Sequence, residues 1–203
     1  DPGYEFALKE LEIISNEMNE IKVKYNFDSL TDEEKLSYRL FLDNSQNSLD
    51  QMEWWYHDYA LTQMYGAHSG VPTFLINQHP IDNITDANAY IKRIELSGRY
   101  LEKVLENTRE SARRGIRPPK FVYGHVISTS KNIISGFPFE KSEGLNLVYD
   151  DFNKKISELN LLKEVSENLN KQVQNALLSS FKPAYILLIN EMLTQQRQTT
   201  EDD

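Results

Sequence analysis

The four histidines, His57, His68, His79 and His125, are the side chains of this sequence with the most versatile chemistry. A helical zinc hydrolase carries two histidines on one helix face as His-Glu-x-x-His, with the glutamate acting as general base. None of the four has a second histidine three or four residues away. His68 and His79 could still meet across an irregular segment, or serve there only as hydrogen-bonding turn residues.

Other reactive arrangements are also missing from the sequence. The 8 glycines are isolated, so no phosphate-binding glycine loop is present, and no serine lies in a Gly-x-Ser-x-Gly elbow. Cysteine is absent, which excludes disulfides and thiolate chemistry. The adjacent carboxylates of Asp150 and Asp151 diverge around a helix and are expected to be solvated. We therefore predict no catalytic, cofactor-binding or metal-binding residue in this chain.

One segment, at about 66–84, interrupts an otherwise strongly helical sequence. It contains two of the four histidines, two of the 7 prolines and two glycines. It also carries too much apolar surface for a solvated linker, from Val71, Phe74, Leu75, Ile76 and Ile81. Long irregular segments inside compact domains are usually functional or disordered. We predict a packed loop at about 66–84 that shapes a cleft, with His68, Ser69 and His79 as its polar lining.

An aromatic cluster precedes this segment: Trp54, Trp55, Tyr56, Tyr59 and Tyr65. Large aromatic side chains at helical spacing mostly indicate a core. Trp54 and Trp55 point about 100° apart on a helix, however, so one of them can leave the core stripe. Trp55 and Tyr65 are therefore added to the predicted cleft lining, with burial in the core as the alternative.

The elements that must position these residues are helices. Apolar residues recur at steps of three and four from Ala7 to Tyr25, which predicts one helix face. Thr31 and Glu34 form a capping-box sequence at the start of a second helix, which is predicted to reach Tyr59. Thr85 is the predicted N-cap of a third helix.

Later helices are delimited by glycine and proline. Gly115 occupies the position of a left-handed C-cap, and two prolines follow it. Pro183 falls inside the pattern of the last helix, where it predicts a kink near Ser179. We predict an all-α fold, an irregular bundle of about six helices with one long packed loop and a proline-kinked last helix.

The overall charge limits the partners. The formal net charge is −9 and the pI about 5.0. A phosphate backbone would be repelled, so no nucleic-acid partner is predicted.

The longest apolar run, residues 184–189, is far shorter than the roughly 20 residues of a transmembrane helix. No transmembrane segment is therefore predicted.

Both ends of the chain suggest processing or trimming. The sequence starts at Asp1 without a methionine, and residues 195–203 contain no apolar side chain. We predict a single helical domain over 1–194, followed by a polar linker or tail over 195–203.

Six segments resemble the bacterial family catalogued as domain of unknown function 885. The sequence at 32–41 is similar to the opening helix signature of the family, and those at 70–72 and 75–80 to its central loop. Residues 85–94 resemble the helix start that follows, and residues 112–122 its most distinctive turn. Residues 182–185 match a late proline–aromatic step. These matches are in order and extend from about residue 30 to residue 192.

This resemblance implies the N-terminal portion of a longer zinc metallopeptidase-like protein, in which the His-Glu-x-x-His helix lies in a C-terminal half. Zinc is then a cofactor of the complete protein, and no ligand for it carries over to a residue of this sequence. The implied partners are the C-terminal catalytic half and a peptide substrate. The implied location is the bacterial cell envelope, as a periplasmic or lipid-anchored lipoprotein.

Two functions for this chain are therefore consistent with its sequence. In the first, the chain is the helical scaffold of a zinc-dependent peptidase-like hydrolase and forms one wall of its substrate cleft. In the second, it is a stand-alone helical module of the cell envelope that binds proteins or peptides.

Overall fold

The computed structural model describes residues 3–200, and their fold is all-α as predicted. Two 3-10 turns, Phe27–Ser29 and Met52–His57, and a π-helical turn, Leu177–Phe181, accompany the α-helices. The α-helices are α1 (Tyr4–Lys24), α2 (Asp32–Gln51), α3 (Ala67–Gln78), α4 (Ile84–Arg113), α5 (Lys120–Ile133), α6 (Leu147–Ser157), α7 (Lys163–Ala176) and α8 (Lys182–Gln198). None of the described helices is both long and apolar enough to cross a lipid bilayer.

The chain forms two compact units, Asp1–Asp58 and Tyr59–Asp203. The division falls inside the range for which the sequence predicted one domain. In the first unit, α1 contacts α2, and the predicted apolar face of α1 is confirmed, with Met18 buried. The capping box of Thr31 and Glu34 is also confirmed at the start of α2. Helix α2 ends at Gln51 rather than near Tyr59, because a 3-10 turn follows it.

The core of the second unit surrounds α4 and α8. Helix α4 contacts α3, α7, α8 and the π-helical turn, while α5 packs against α8 and α6 against α7. The largest fully buried side chains are Tyr90, Tyr123, Phe152, Phe181 and Tyr185. Burying such aromatic rings supplies much of the hydrophobic stabilisation in a domain of this size.

The prediction of a loop at about 66–84 is wrong, because residues 67–78 form helix α3. Pro72 lies inside this helix, where it has no N–H to donate to the carbonyl of His68, four residues earlier. The hydroxyl of Tyr185 donates to that carbonyl instead, at 2.6 Å. A contact from α8, more than one hundred residues away in sequence, therefore satisfies the helix at its proline.

The ends of α4 show one wrong and one confirmed prediction. Its N-cap is Asn83 rather than Thr85, since the Asn83 side chain accepts from the amide of Asp86 at 3.1 Å. Its C-terminus has the predicted left-handed glycine, Gly115, with φ +84°. The Ile116 amide donates to Ser111 at 2.9 Å, which completes a Schellman motif.

The last helix is interrupted where the sequence predicted a kink. Pro183 cannot donate to the carbonyl of Ser179, and residues 177–181 form a π-helical turn just before it. Helix α4 approaches this turn closely at Gly98, where a Cβ would lie 3.2 Å from the carbonyl oxygen of Ser180.

The polar tail predicted from residue 195 is wrong over its first part. Helix α8 extends through Gln198, and the side chains of Gln195 and Thr199 are buried. Gln195 donates to Glu191 and accepts from Tyr123, so the interior satisfies its amide. Residues 201–203 of the predicted tail, and the start at Asp1, lie outside the described residues.

Candidate functional site

An open, mostly apolar groove lies between α3 and α4. Its volume is about 510 Å³. Three large side chains on its surface remain accessible to solvent, with exposed fractions of 40% for Phe74, 48% for Leu96 and 41% for Tyr100. The lining residues are Gly66, Ala67, Gly70, Val71, Phe74, Leu75, Arg93, Leu96, Ser97 and Tyr100. Apolar concavities with a few polar groups are the usual form of ligand sites.

Helix α4 contributes a second stripe of side chains to this groove. Arg93, Leu96 and Tyr100 are spaced by three and four residues, so they share one helix face. Ile94 and Leu101 belong to the neighbouring core stripe and are fully buried. The amphipathic pattern of α4 is therefore wider than the core requires, and its extra apolar edge faces α3.

Helix α3 is fixed at its C-terminal end by Lys155 of α6. The Lys155 ammonium donates to the carbonyls of Leu75 at 3.1 Å and Ile76 at 2.8 Å. Both carbonyls belong to the last turn of α3, where the helix itself offers no N–H donor to them. The negative end of the helix dipole also lies there and attracts a cation. Lys155 also pairs with Asp151 at 2.8 Å. A charged, largely buried side chain thus holds one wall of the groove in place.

Tyr90 belongs to the same polar cluster as Lys155 and Asp151. Its hydroxyl donates to Asp151 at 2.9 Å, and Lys155 lies 5.4 Å from the centre of its ring. Burial, together with the carboxylate of Asp151, raises the pKa of Tyr90. The hydroxyl therefore stays protonated and acts as a donor, which fits a structural role for Tyr90.

Arg93 is the charged residue of the groove. Its guanidinium lies 5.3 Å from the centre of the Phe74 ring and donates to Nδ1 of His79. The other ring nitrogen of His79, Nε2, lies 3.2 Å from the carbonyl oxygen of Asp86, to which it donates. Burial lowers the pKa of His79, and the nearby Arg93 cation lowers it further. His79 is therefore neutral and accepts from Arg93.

None of the five predicted cleft residues lines this groove. In the second unit, His68 and His79 are buried, Ser69 donates to the carbonyl of Gly66 at 3.2 Å, and Tyr65 is 61% exposed. In the first unit, Trp55 is half-buried, with its ring edge-on to that of Tyr4 at 6.0 Å. Their place in the cleft of a larger protein stays a prediction.

His68 in α3 and His79, the residue that follows this helix, do not make a metal site. His79 uses both ring nitrogens and faces a cation, while His68 is buried with its Nδ1 against Gly66. Among residues 3–200, no three histidine, aspartate or glutamate side chains cluster closely enough to hold a metal ion. The zinc implied by the family resemblance therefore does not fit the described part of this chain.

His68 is 2% exposed, and its Nδ1 has no hydrogen-bond partner among the described residues. Burial lowers the pKa of its imidazole to about 4. The unfolded chain would protonate the same ring near pH 6.5. Because the unfolded state binds the extra proton, the stability contribution of neutral His68 is complete above pH 6.5 and is lost as the pH falls toward 4.

We expect acidification from pH 7 to pH 4 to lower the free energy of unfolding by about 2 kcal/mol through His68. Urea unfolding followed by circular dichroism at several pH values measures this loss. In the His68→Leu variant the pH dependence should be flatter over this window. His125→Gln, at an exposed position of α5, is the control and should keep the wild-type dependence. An unchanged pH dependence in His68→Leu would contradict the assignment.

The sequence missed Arg93, Leu96 and Tyr100 as groove residues, and it assigned Phe74 to the segment that shapes a cleft without naming it as lining. A signal for the α4 residues was present, since Leu96 and Tyr100 are large side chains that lie off the core stripe of a clearly amphipathic helix. Phe74 could not be placed, because the segment containing it was predicted as a loop. The groove depends on α3 being helical, which is a tertiary property.

Comparisons with known proteins give a family and a fold. A family model described as "Bacterial protein of unknown function (DUF885)" matches residues 1–203. A solved structure, "The crystal structure of the putative lipoprotein from Colwellia psychrerythraea", is similar at 21% sequence identity with a TM-score of 0.64. The similarity covers 70% of this chain but only 24% of that chain. No curated protein matches the sequence.

Proposed function

Because this chain belongs to the bacterial DUF885 family, we propose that it is the N-terminal helical scaffold of a peptidase-like hydrolase. The groove between α3 and α4 would form one wall of the substrate cleft. The main support for this proposal is the groove itself, which is open and mostly apolar, has a volume of about 510 Å³ and is lined by Arg93. The reacting groups would all lie outside this chain.

The size of the structural relative supports a larger parent protein. The similarity covers only 24% of the Colwellia psychrerythraea protein, which is therefore much longer than this chain. The proposed catalytic half, and the zinc that the resemblance implies for it, would follow the helical portion in sequence. The proposed location is the cell envelope, which fits the description of that relative as a lipoprotein.

The coding sequence beyond Asp203 tests the proposal. We expect it to continue for several hundred residues and to encode a helix with His-Glu-x-x-His. Metal analysis should then find stoichiometric zinc in the complete protein and none in the purified 203-residue chain. A stop codon after Asp203, or stoichiometric zinc in the 203-residue chain, would overturn the proposal.

A stand-alone peptide-binding module is the second candidate. Every residue that lines the groove belongs to α3 or α4, apart from Gly66 at its edge, and this favours the alternative. Such a groove needs no second half to be complete. A stop codon after Asp203, combined with peptide binding by the 203-residue chain, would support this alternative.

A further inference from the structure

We propose that the groove between α3 and α4 binds the C-terminal end of an apolar peptide, with the terminal carboxylate paired to Arg93. This inference rests on the proposed function and names the class of substrate that the groove would take. It combines three features of the groove: an unneutralised guanidinium, an apolar surface beside it, and a length suited to a few residues.

The charge of Arg93 is not neutralised within the described part of the chain. Three arginines near the end of α4 pair with carboxylates: Arg109 with Glu191 at 2.7 Å, and Arg113 and the C-cap residue Arg114 with Glu110 at 2.7 Å. Arg93 instead contacts a neutral imidazole and an aromatic ring. In a chain with a net charge of −9, an arginine without a carboxylate partner at a groove is open to an anionic ligand.

The guanidinium is also held in one orientation. The Phe74 ring packs beside it, and Nδ1 of His79 accepts one of its N–H groups. A guanidinium has five N–H donors, so enough remain for two parallel hydrogen bonds to a carboxylate. The His79 ring is fixed in turn by the carbonyl of Asp86. Such fixation lowers the entropy that is lost when a carboxylate binds.

The apolar surface begins directly at Arg93. Phe74 contacts the guanidinium, and Leu96 follows one turn along α4. A ligand must therefore carry its negative charge next to an apolar group. The last residue of a peptide meets this requirement, since its carboxylate and its side chain are attached to the same carbon atom.

The dimensions suit a short extended peptide. The groove follows α3 from Gly66 to Phe74, a distance of roughly 12 Å along the helix axis. This length accommodates about three to four residues of an extended chain. Gly70 lines the groove and has no atom within 4 Å of the place where its Cβ would be, so the surface there is open to a peptide main chain.

The test compares two tetrapeptides, Ala-Ala-Leu-Phe as the free acid and as the C-terminal amide, in calorimetric titrations of the full 203-residue chain. We expect the acid to bind about fivefold more tightly than the amide, the upper end of what an exposed ion pair supplies. The Arg93→Gln variant should bind both equally. Arg99→Gln removes the same charge from an exposed position of α4 outside the groove, and it should keep the preference.

Each other outcome is decisive. Equal binding of acid and amide to the wild-type chain would overturn this inference and leave the proposed function standing. This comparison uses the wild-type chain alone, so its outcome does not depend on whether a variant folds. Binding of neither peptide would also overturn this inference, whereas the proposed function fails separately, on the coding sequence beyond Asp203 and on the zinc analysis. Equal loss of preference in Arg93→Gln and Arg99→Gln would show a general charge effect and reject the assignment to Arg93. Decanoate that binds more tightly than the free-acid peptide would replace the peptide with an acyl-chain ligand.

Discussion

Replacing Gly66 by alanine is expected to lower the free energy of unfolding by about 3–5 kcal/mol. Gly66 has φ +145° and ψ 172°, a region that is essentially restricted to glycine. A Cβ at this position would lie 2.8 Å from the backbone oxygen of Ala60 and 3.0 Å from both Nδ1 of His68 and Cα of Leu61. Two of these three atoms are backbone, so they cannot move aside cheaply.

This glycine joins a tight turn to the first residue of α3. Leu61 and Gly66 form an isolated bridge, and the amide of Thr62 donates to the carbonyl of Tyr65 at 2.9 Å. The carbonyl of Gly66 accepts from the amide of Gly70 at 2.9 Å, which starts the helix. A strained residue at position 66 would therefore disturb both the turn and the wall of the groove.

Gly70→Ala is the matched control, since it makes the same chemical change four residues later. Gly70 is helical, and nothing lies within 4 Å of its Cβ position. Alanine should stabilise the helix there by up to about 1 kcal/mol. Urea unfolding followed by circular dichroism measures both variants. Equal effects of the two substitutions would show that the backbone of Gly66 tolerates a side chain.

The second large effect is expected from Tyr185→Phe, which should cost about 2–3 kcal/mol. The substitution keeps the buried ring and removes only the hydroxyl that donates to the carbonyl of His68. Burial raises the pKa of Tyr185, so the hydroxyl is protonated throughout the neutral range. Without it, the carbonyl of His68 on the buried face of α3 has no donor, because Pro72 cannot supply one.

The cause can be isolated by a double-mutant cycle with Pro72→Ala. Alanine restores a backbone N–H that can donate to His68 within α3. Tyr185→Phe should therefore cost less than about 1 kcal/mol in the Pro72→Ala background, which gives a coupling of more than about 1 kcal/mol. Unfolding free energies of the four proteins determine this coupling. Additive effects would mean that the hydroxyl is not the substitute for the missing amide.

The two predictions concern the same element, because α3 is a wall of the groove and also has little local support. It begins at a glycine without a side-chain cap and contains a proline. Contacts from α6 and α8 compensate for these deficits, through Lys155 and Tyr185. Losing either contact should loosen the groove before it affects the remaining helices.

Features that depend on neighbouring residues could be predicted from the sequence. The apolar spacing of α1, the capping box at Thr31 and the glycine C-cap at Gly115 were all predicted, because each involves side chains within a few residues of one another. The all-α class followed from the same periodicity. The family also followed from short segments in the right order.

Features that depend on partners distant in sequence could not be predicted, because they arise from tertiary contacts. Glycine and proline in residues 66–72 predict a loop when they are considered alone, yet a hydroxyl from α8 makes the helix possible there. The polar residues at the end of α8 predict a tail, yet Gln195 is buried because Tyr123 and Glu191 satisfy its amide. The groove exists because α3 lies beside the outer edge of α4, and local sequence patterns carry no information about such an approach.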